Sequence, residues 1–153
     1  MSKAKQRAGN KPRRHGYGDP FAQFRLMRKL QPFTRGELLK LNLVPRMAWQ
    51  AMRTGQANDN DRGTVSAIVN AALVRCESIH PDLVGACKQA QQALWHIKQR
   101  HLQTGSCVLT QQDIQDIEPV VDLHEQLLEL STPLEMERAM IEVLRRAAAG
   151  ETL

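Results

Sequence analysis

Aromatic side chains make up only 4% of the 153-residue chain, as three Phe, two Trp and one Tyr. That scarcity excludes a core built on packed rings, so Leu, Val, Ile, Ala and Met must fill it, a composition that favours helices. Cysteine is nearly as rare. Cys76, Cys87 and Cys107 cannot all pair within one chain, and each lies in or beside an apolar helical pattern, which predicts reduced, buried thiols. No CxxC occurs, and His96 and His101 are five apart and so fall on different helical faces. Cys76 and His80 share a helical spacing but lack the further convergent N or S ligands that zinc needs. No apolar run approaches the roughly 20 residues of a membrane span. Residues 1–14 lack the apolar stretch of a secretory signal, so a cytoplasmic protein without a membrane partner is expected. GxSxG, GxxxxGK[ST] and HExxH are all missing, and no nucleophile, base and oxyanion donor can be assembled from motifs. The expectation is a protein that is not an enzyme and uses no cofactor or metal. There is also no internal repeat, heptad run or strand-like alternation.

What the chain does have is an uneven distribution of charge. The net charge of +5 conceals two opposed parts. Residues 1–46 carry twelve Lys or Arg against Asp19 and Glu37, a net of +10. Residues 47–153 carry nine basic against fourteen acidic residues, a net of −5. The first twenty residues, MSKAKQRAGNKPRRHGYGDP, are rich in Gly, Pro, Lys and Arg and offer little to bury. Such a segment is expected to be disordered when free.

Periodicity and punctuation predict an all-α fold, a single small bundle of about five helices with a basic, partly disordered N-terminal arm. The arm covers residues 1–32 and ends in a short apolar cluster, Phe21, Phe24, Leu26, Met27 and Leu30, between Pro20 and Pro32. The helical domain covers residues 33–153. Thr34 and Glu37 have capping-box spacing, and Pro45 predicts either a kinked helix or two short ones ending at Thr54-Gly55. Asn60 or Asp61 is placed to cap the next helix, whose face is Val65, Ile68, Val69, Ala72, Leu73 and Cys76. His80-Pro81-Asp82 breaks it, and a helix of about 22 residues then runs to Thr104-Gly105. Thr110 and Asp113 open another, with Pro119 expected to kink it or displace its start. Ser131-Thr132-Pro133 starts the last, which runs to about Ala148 with Gly150 beyond.

The basic arm is the strongest functional signal. Lys11, Arg13, Arg14, Arg25, Arg28, Lys29 and Arg35 are candidate nucleic-acid contacts, because each can neutralise a phosphate and release counterions. The bland alternatives are that the tail serves solubility or docks on the acids of its own body. Phe21, Phe24, Phe33 and Trp49 are candidate anchors for a protein partner, with Leu26 beside them, since aromatic residues and arginines dominate interface energetics. Residues 34–53 do not fit a helix-turn-helix well, because the segment from Pro45 offers only Arg46 and Gln50, with Arg53 a turn later, as base-reading side chains; a packed amphipathic helix with Trp49 as a core or interface residue is the stronger reading of them. Asp113, Asp116, Glu118, Asp122, Glu125 and Glu129 form an acidic run that reads as a solvated face, or as the intramolecular counterpart of the arm.

Two stretches carry a resemblance. One is RHGYGDPFAQFRLMRKLQPFTRGELL, residues 14–39, in which a basic Gly-Asp-Pro segment leads into an aromatic and arginine-rich cluster. The other is VDLHEQLLELSTPLEMERAM, residues 121–140. Together they resemble a group of small helical proteins encoded in prophages and other mobile elements of proteobacteria. The resemblance implies an accessory or regulatory protein and brings no activity, cofactor or active site with it. The leading expectation is therefore a phage or mobile-element regulatory protein that contacts DNA or RNA through its arm, within a transcription or nucleoprotein complex. A protein-binding inhibitor or adaptor directed at a host or phage protein is the alternative, and a structural or packaging component a third.

Overall fold

The computed structural model describes residues 22–151. Among the described residues there are six α-helices: α1 Ala22–Lys29, α2 Arg35–Arg53, α3 Asp59–Ile79, α4 Val84–Thr104, α5 Gln111–Glu129 and α6 Pro133–Ala148. A 3-10 turn over Pro81–Leu83 joins α3 to α4, and no strand occurs among the described residues. The all-α expectation is met with six helices rather than five, because the apolar cluster after Pro20 forms a helix of its own, α1.

Four of the helices start on reciprocal capping boxes, in which a side-chain oxygen and an acid three residues on satisfy otherwise orphaned N–H groups. The pairs are Thr34 with Glu37, Asn58 with Asp61, Thr110 with Asp113 and Thr132 with Glu135. In α3 the cap is Asn58 rather than Asn60 or Asp61; Asp61 is instead the acid that reaches back to the Asn58 N–H at 2.9 Å. Neither internal proline divides its helix. Pro119 lies on the exposed side of α5, where the carbonyl it leaves unpaired is open to water. Pro45 is buried within α2, and apolar packing on both of its sides in sequence, from Leu38 to Met52, keeps the helix continuous. Without a break there is no turn between two short helices, so a helix-turn-helix is absent from residues 34–53.

The core is organised around α3, which packs against α2, α4, α5 and α6. Val65, Val69, Ala72 and Cys76 are fully enclosed, and Ile68, Ala71 and Leu73 are buried on its other sides. Ile97 of α4, Ile117 and Val121 of α5 and Trp49 and Met52 of α2 meet them in the main cluster. Leu128 and Met136 close on Ala71 in a smaller one. Several of the polar groups taken inside are paired. Arg75 donates from Nε and Nη2 to Ser131 Oγ at 3.1 and 2.9 Å, and Gln91 Nε2 donates to Asn70 Oδ1 at 2.5 Å. The Cys76 and Cys87 sulfurs lie 4.0 Å apart between α3 and α4. Burial pushes both thiols up, that of Cys87 to about 12, which leaves them protonated and unreactive at neutral pH. Cys107, in the α4–α5 loop, is only half-buried.

Candidate interaction surface

Helix α2 has two opposed faces. Its inner face presents Pro45, Ala48, Trp49 and Met52 to the core. Its flank is tied to α5 by charge: Arg46 pairs with Asp122 at 2.6 Å and with Glu125, and Arg53 pairs with Glu118 at 2.9 Å. The hydrogen bond it donates to Glu125 is the main reason the Arg46 guanidinium is held even more firmly protonated than usual. Much of the acidic run of α5 is therefore answered from within the molecule. These side chains are well exposed, and such pairs contribute about 0–1 kcal/mol each. They set the register of α2 on α5 more than they stabilise it.

The outer face of α2 is apolar as well. Leu39, Leu43 and Met47, at the i, i+4, i+8 spacing of a single line along a helix, are 67%, 58% and 64% exposed. Val44 is exposed beside them. Two cations flank the line, Arg35 and Lys40, both exposed and without an ion pair among the described residues. A helix that is apolar on every side is ordinarily buried, and scattered single exposed residues differ from a continuous line of this kind. Helix α6 has a smaller counterpart in Ile141 and Leu144, which point away from α3.

The predicted contacts divide among several environments. Lys11, Arg13, Arg14 and Phe21 lie outside the described residues. Arg28 pairs with Glu37, and Lys29 with Glu137 at 2.5 Å, so these two hold α1 to the starts of α2 and α6 by charge while α1 buries no residue. The bond from Thr34 and then the Arg28 contact hold Glu37 below the usual carboxylate range. Arg25 is exposed. Phe24 is 74% exposed, and Leu26 and Met27 on the same short helix and Leu30 just beyond its end are exposed as well. Phe33 is half-buried against Ala71, Leu128 and Met136. Trp49 corrects the expectation of a surface anchor: it is 2% exposed in the main core, and its Nε1 donates to Glu118 Oε1 at 3.4 Å. The apolar ring is drawn inside and its one polar atom finds an acceptor at the edge.

Beside Pro45 a groove of about 370 Å³ runs between α2, α3, α5 and α6, lined by Phe33, Leu41, Ile68, His124, Met136 and Met140 among others. His124 is 6% exposed, and its Nδ1 is buried without a hydrogen-bond partner. Burial pushes its imidazole down to about 4, with the Glu125 charge opposing weakly. It is therefore neutral at pH 7. In the sequence His124 is one helix residue among others, because nothing local distinguishes a buried imidazole from an exposed one. The outer line of α2 was missed for a related reason: Leu39, Leu43 and Met47 fit a helical period, and a period alone does not say how many faces will be covered.

Among the described residues no group of three His, Cys, Asp or Glu is arranged to hold a metal ion, and no helix is long and apolar enough to cross a membrane. No family model, curated protein or solved structure matches the chain.

Proposed function

We propose that the protein is a helical accessory or adaptor protein that binds a second protein along the outer face of α2. The line of Leu39, Leu43 and Met47 carries this reading, since three large apolar side chains in register on one helix present a ready half of a helix-in-groove or helix-on-helix contact. The flanking Arg35 and Lys40, together with the +10 charge of residues 1–46, favour a partner that is amphipathic and acidic. Regulation by a mobile element, as the resemblance of residues 14–39 and 121–140 implies, is compatible with such an adaptor.

A second reading, contact with DNA or RNA through the basic arm, keeps one specific support: the charge of residues 1–46 exceeds what the described acids neutralise, and Arg35 and Lys40 have no ion pair among the described residues. It loses some weight from Arg28, Lys29 and Arg46, which are already engaged within the chain.

Affinity capture from nuclease-treated lysate, with wild type and Leu43→Glu compared side by side, separates the readings. A stoichiometric protein retained by wild type and lost with Leu43→Glu, while both variants unfold at the same denaturant concentration, is the expected result. Capture that disappears with nuclease and is unaffected by Leu43→Glu would establish nucleic acid in its place. A concentration-dependent dimer abolished by Leu43→Glu would assign the face to a second copy.

A further inference from the structure

A second cavity, unrelated to the α2 face, opens between the first half of α3 and the second half of α4. It has a volume of about 520 Å³, within the range of roughly 300–1,000 Å³ typical of small-molecule sites. Its two walls follow from helical spacing. Asp59, Arg62, Gly63 and Ser66 stand at i, i+3, i+4 and i+7 on α3, and Leu94, Trp95, Lys98, His101 and Leu102 share one face of α4.

The chemistry of the walls is divided. Leu94, Ile97 and Met52 make an apolar floor. Trp95 is 43% exposed, unlike Trp49, and its ring stands edge-on to that of His96 with centroids 5.3 Å apart. The rim is cationic. The Arg62 guanidinium is held in place by the Ala57 carbonyl at 3.0 Å and by the Cys107 sulfur at 3.1 Å. It is also ion-paired with Asp59, which is 97% exposed and is the only acid among the described residues that line the cavity. Lys98 has no ion pair among the described residues. His101 Nδ1 is buried without a partner. Lastly, Gly63 contributes no side chain to the space, and a Cβ added there would meet nothing within 4 Å.

An apolar floor, an accessible indole and a rim with more positive than negative charge are complementary to one kind of molecule. We propose that the cavity binds a small planar aromatic anion, its ring system against Trp95 and Leu102 and its carboxylate, sulfonate or phosphate toward Lys98 and Arg62. Packing of a ring on the indole supplies the apolar contact, and the charged hydrogen bonds at the rim supply orientation. Asp59 confines the site to ligands that can pass an exposed carboxylate, which disfavours multiply charged ones.

The full chain, labelled with 15N, is titrated with 1-anilinonaphthalene-8-sulfonate and separately with its uncharged counterpart N-phenyl-1-naphthylamine. The Trp95 indole signal, assigned by Trp95→Phe, and the amides of Gly63, Ser66 and Lys98 are followed. The sulfonate is expected to shift these signals saturably at one equivalent, and to bind roughly tenfold more tightly than the neutral compound. Lys98→Met should remove most of that difference. Gly63→Leu should abolish binding of both compounds while folding at least as stably as wild type, since the glycine is helical and the space is open. Equal affinity for the two compounds, undiminished binding to Gly63→Leu, or shifts confined to Leu39, Leu43 and Met47 would each overturn the proposal.

Discussion

Helices α2 and α3 are of similar length and both are apolar on more than one side, yet they meet different fates. Helix α3 is enclosed by α2, α4, α5 and α6, and its surplus of apolar residues is spent on four neighbours. Helix α2 rests on α3 and α5 and leaves Leu39, Leu43 and Met47 in water. Burial of apolar area is the main favourable term in folding, so the first pattern is explained within the chain and the second is not. The same sequence feature, a helix apolar on more than one side, marks a core where neighbours are available and an interface where they are not.

The sharpest way to break this comparison is the same truncation in both helices. Leu73→Ala in α3 is expected to cost about 2–5 kcal/mol, the range for a buried leucine with its cavity, whereas Leu43→Ala should fall within about 0.5 kcal/mol, as for an open surface site. Urea unfolding with an unchanged slope reads both. Equal costs would mean that the α2 line is covered in solution, and the contrast would vanish.

A smaller effect tests how dry the junction of α2, α3 and α5 is. His124 titrates near 6.5 when unfolded and about 4 when folded, so below pH 6.5 the unfolded chain takes up a proton that the folded chain refuses. Stability should therefore be insensitive to this group above pH 6.5, fall as pH drops toward 4, and lose about 3 kcal/mol across that window. The wild type minus His124→Leu difference in unfolding free energy, measured from pH 7.5 to 4.5, isolates it from the carboxylates. A flat difference would show that the groove admits water to the imidazole.

The smallest effect concerns what holds α2 down. Arg46→Met removes both pairs to α5 and should cost less than about 1 kcal/mol, and less still in 1 M salt. A larger loss would make charge, rather than Trp49 and Met52, the attachment of α2.

Helix starts were legible wherever capping chemistry was local. Thr34, Thr110 and Thr132 each satisfy an N–H three residues away, so the information sits within four positions. At Asn58 the competing polar residues of the connector obscured the start by two or three positions. At the prolines the sequence left a continuous helix and a break both open, because the packing along the whole of α2 and α5 that outweighs one missing hydrogen bond is a tertiary effect that no short window contains. The same limit applies to the cavity. Arg62, Trp95, Lys98 and His101 are ordinary helix residues in sequence, and only the approach of α3 to α4 gives them a common purpose. The charge asymmetry was plain from the sequence, but its pairing was not: that Arg46 and Arg53 would find α5 depended on the register of two helices distant in the chain.

Pro45 divides α2 mechanically as well as chemically. All four buried residues of the helix, Pro45, Ala48, Trp49 and Met52, fall at or after it, and its missing N–H leaves the Leu41 carbonyl without its usual donor. The last turns are thus clamped, and opening them requires disturbing the core. The first turns are held chiefly by the Thr34–Glu37 box and the half-buried Leu38 and Asn42. Local unfolding follows the least protected contacts, so fraying of α2 is expected to begin at its first turns and to stop at the proline. The turns free to adjust their course are those that carry Leu39 and Leu43, which gives the apolar line latitude to conform to a surface while the molecule behind it stays rigid.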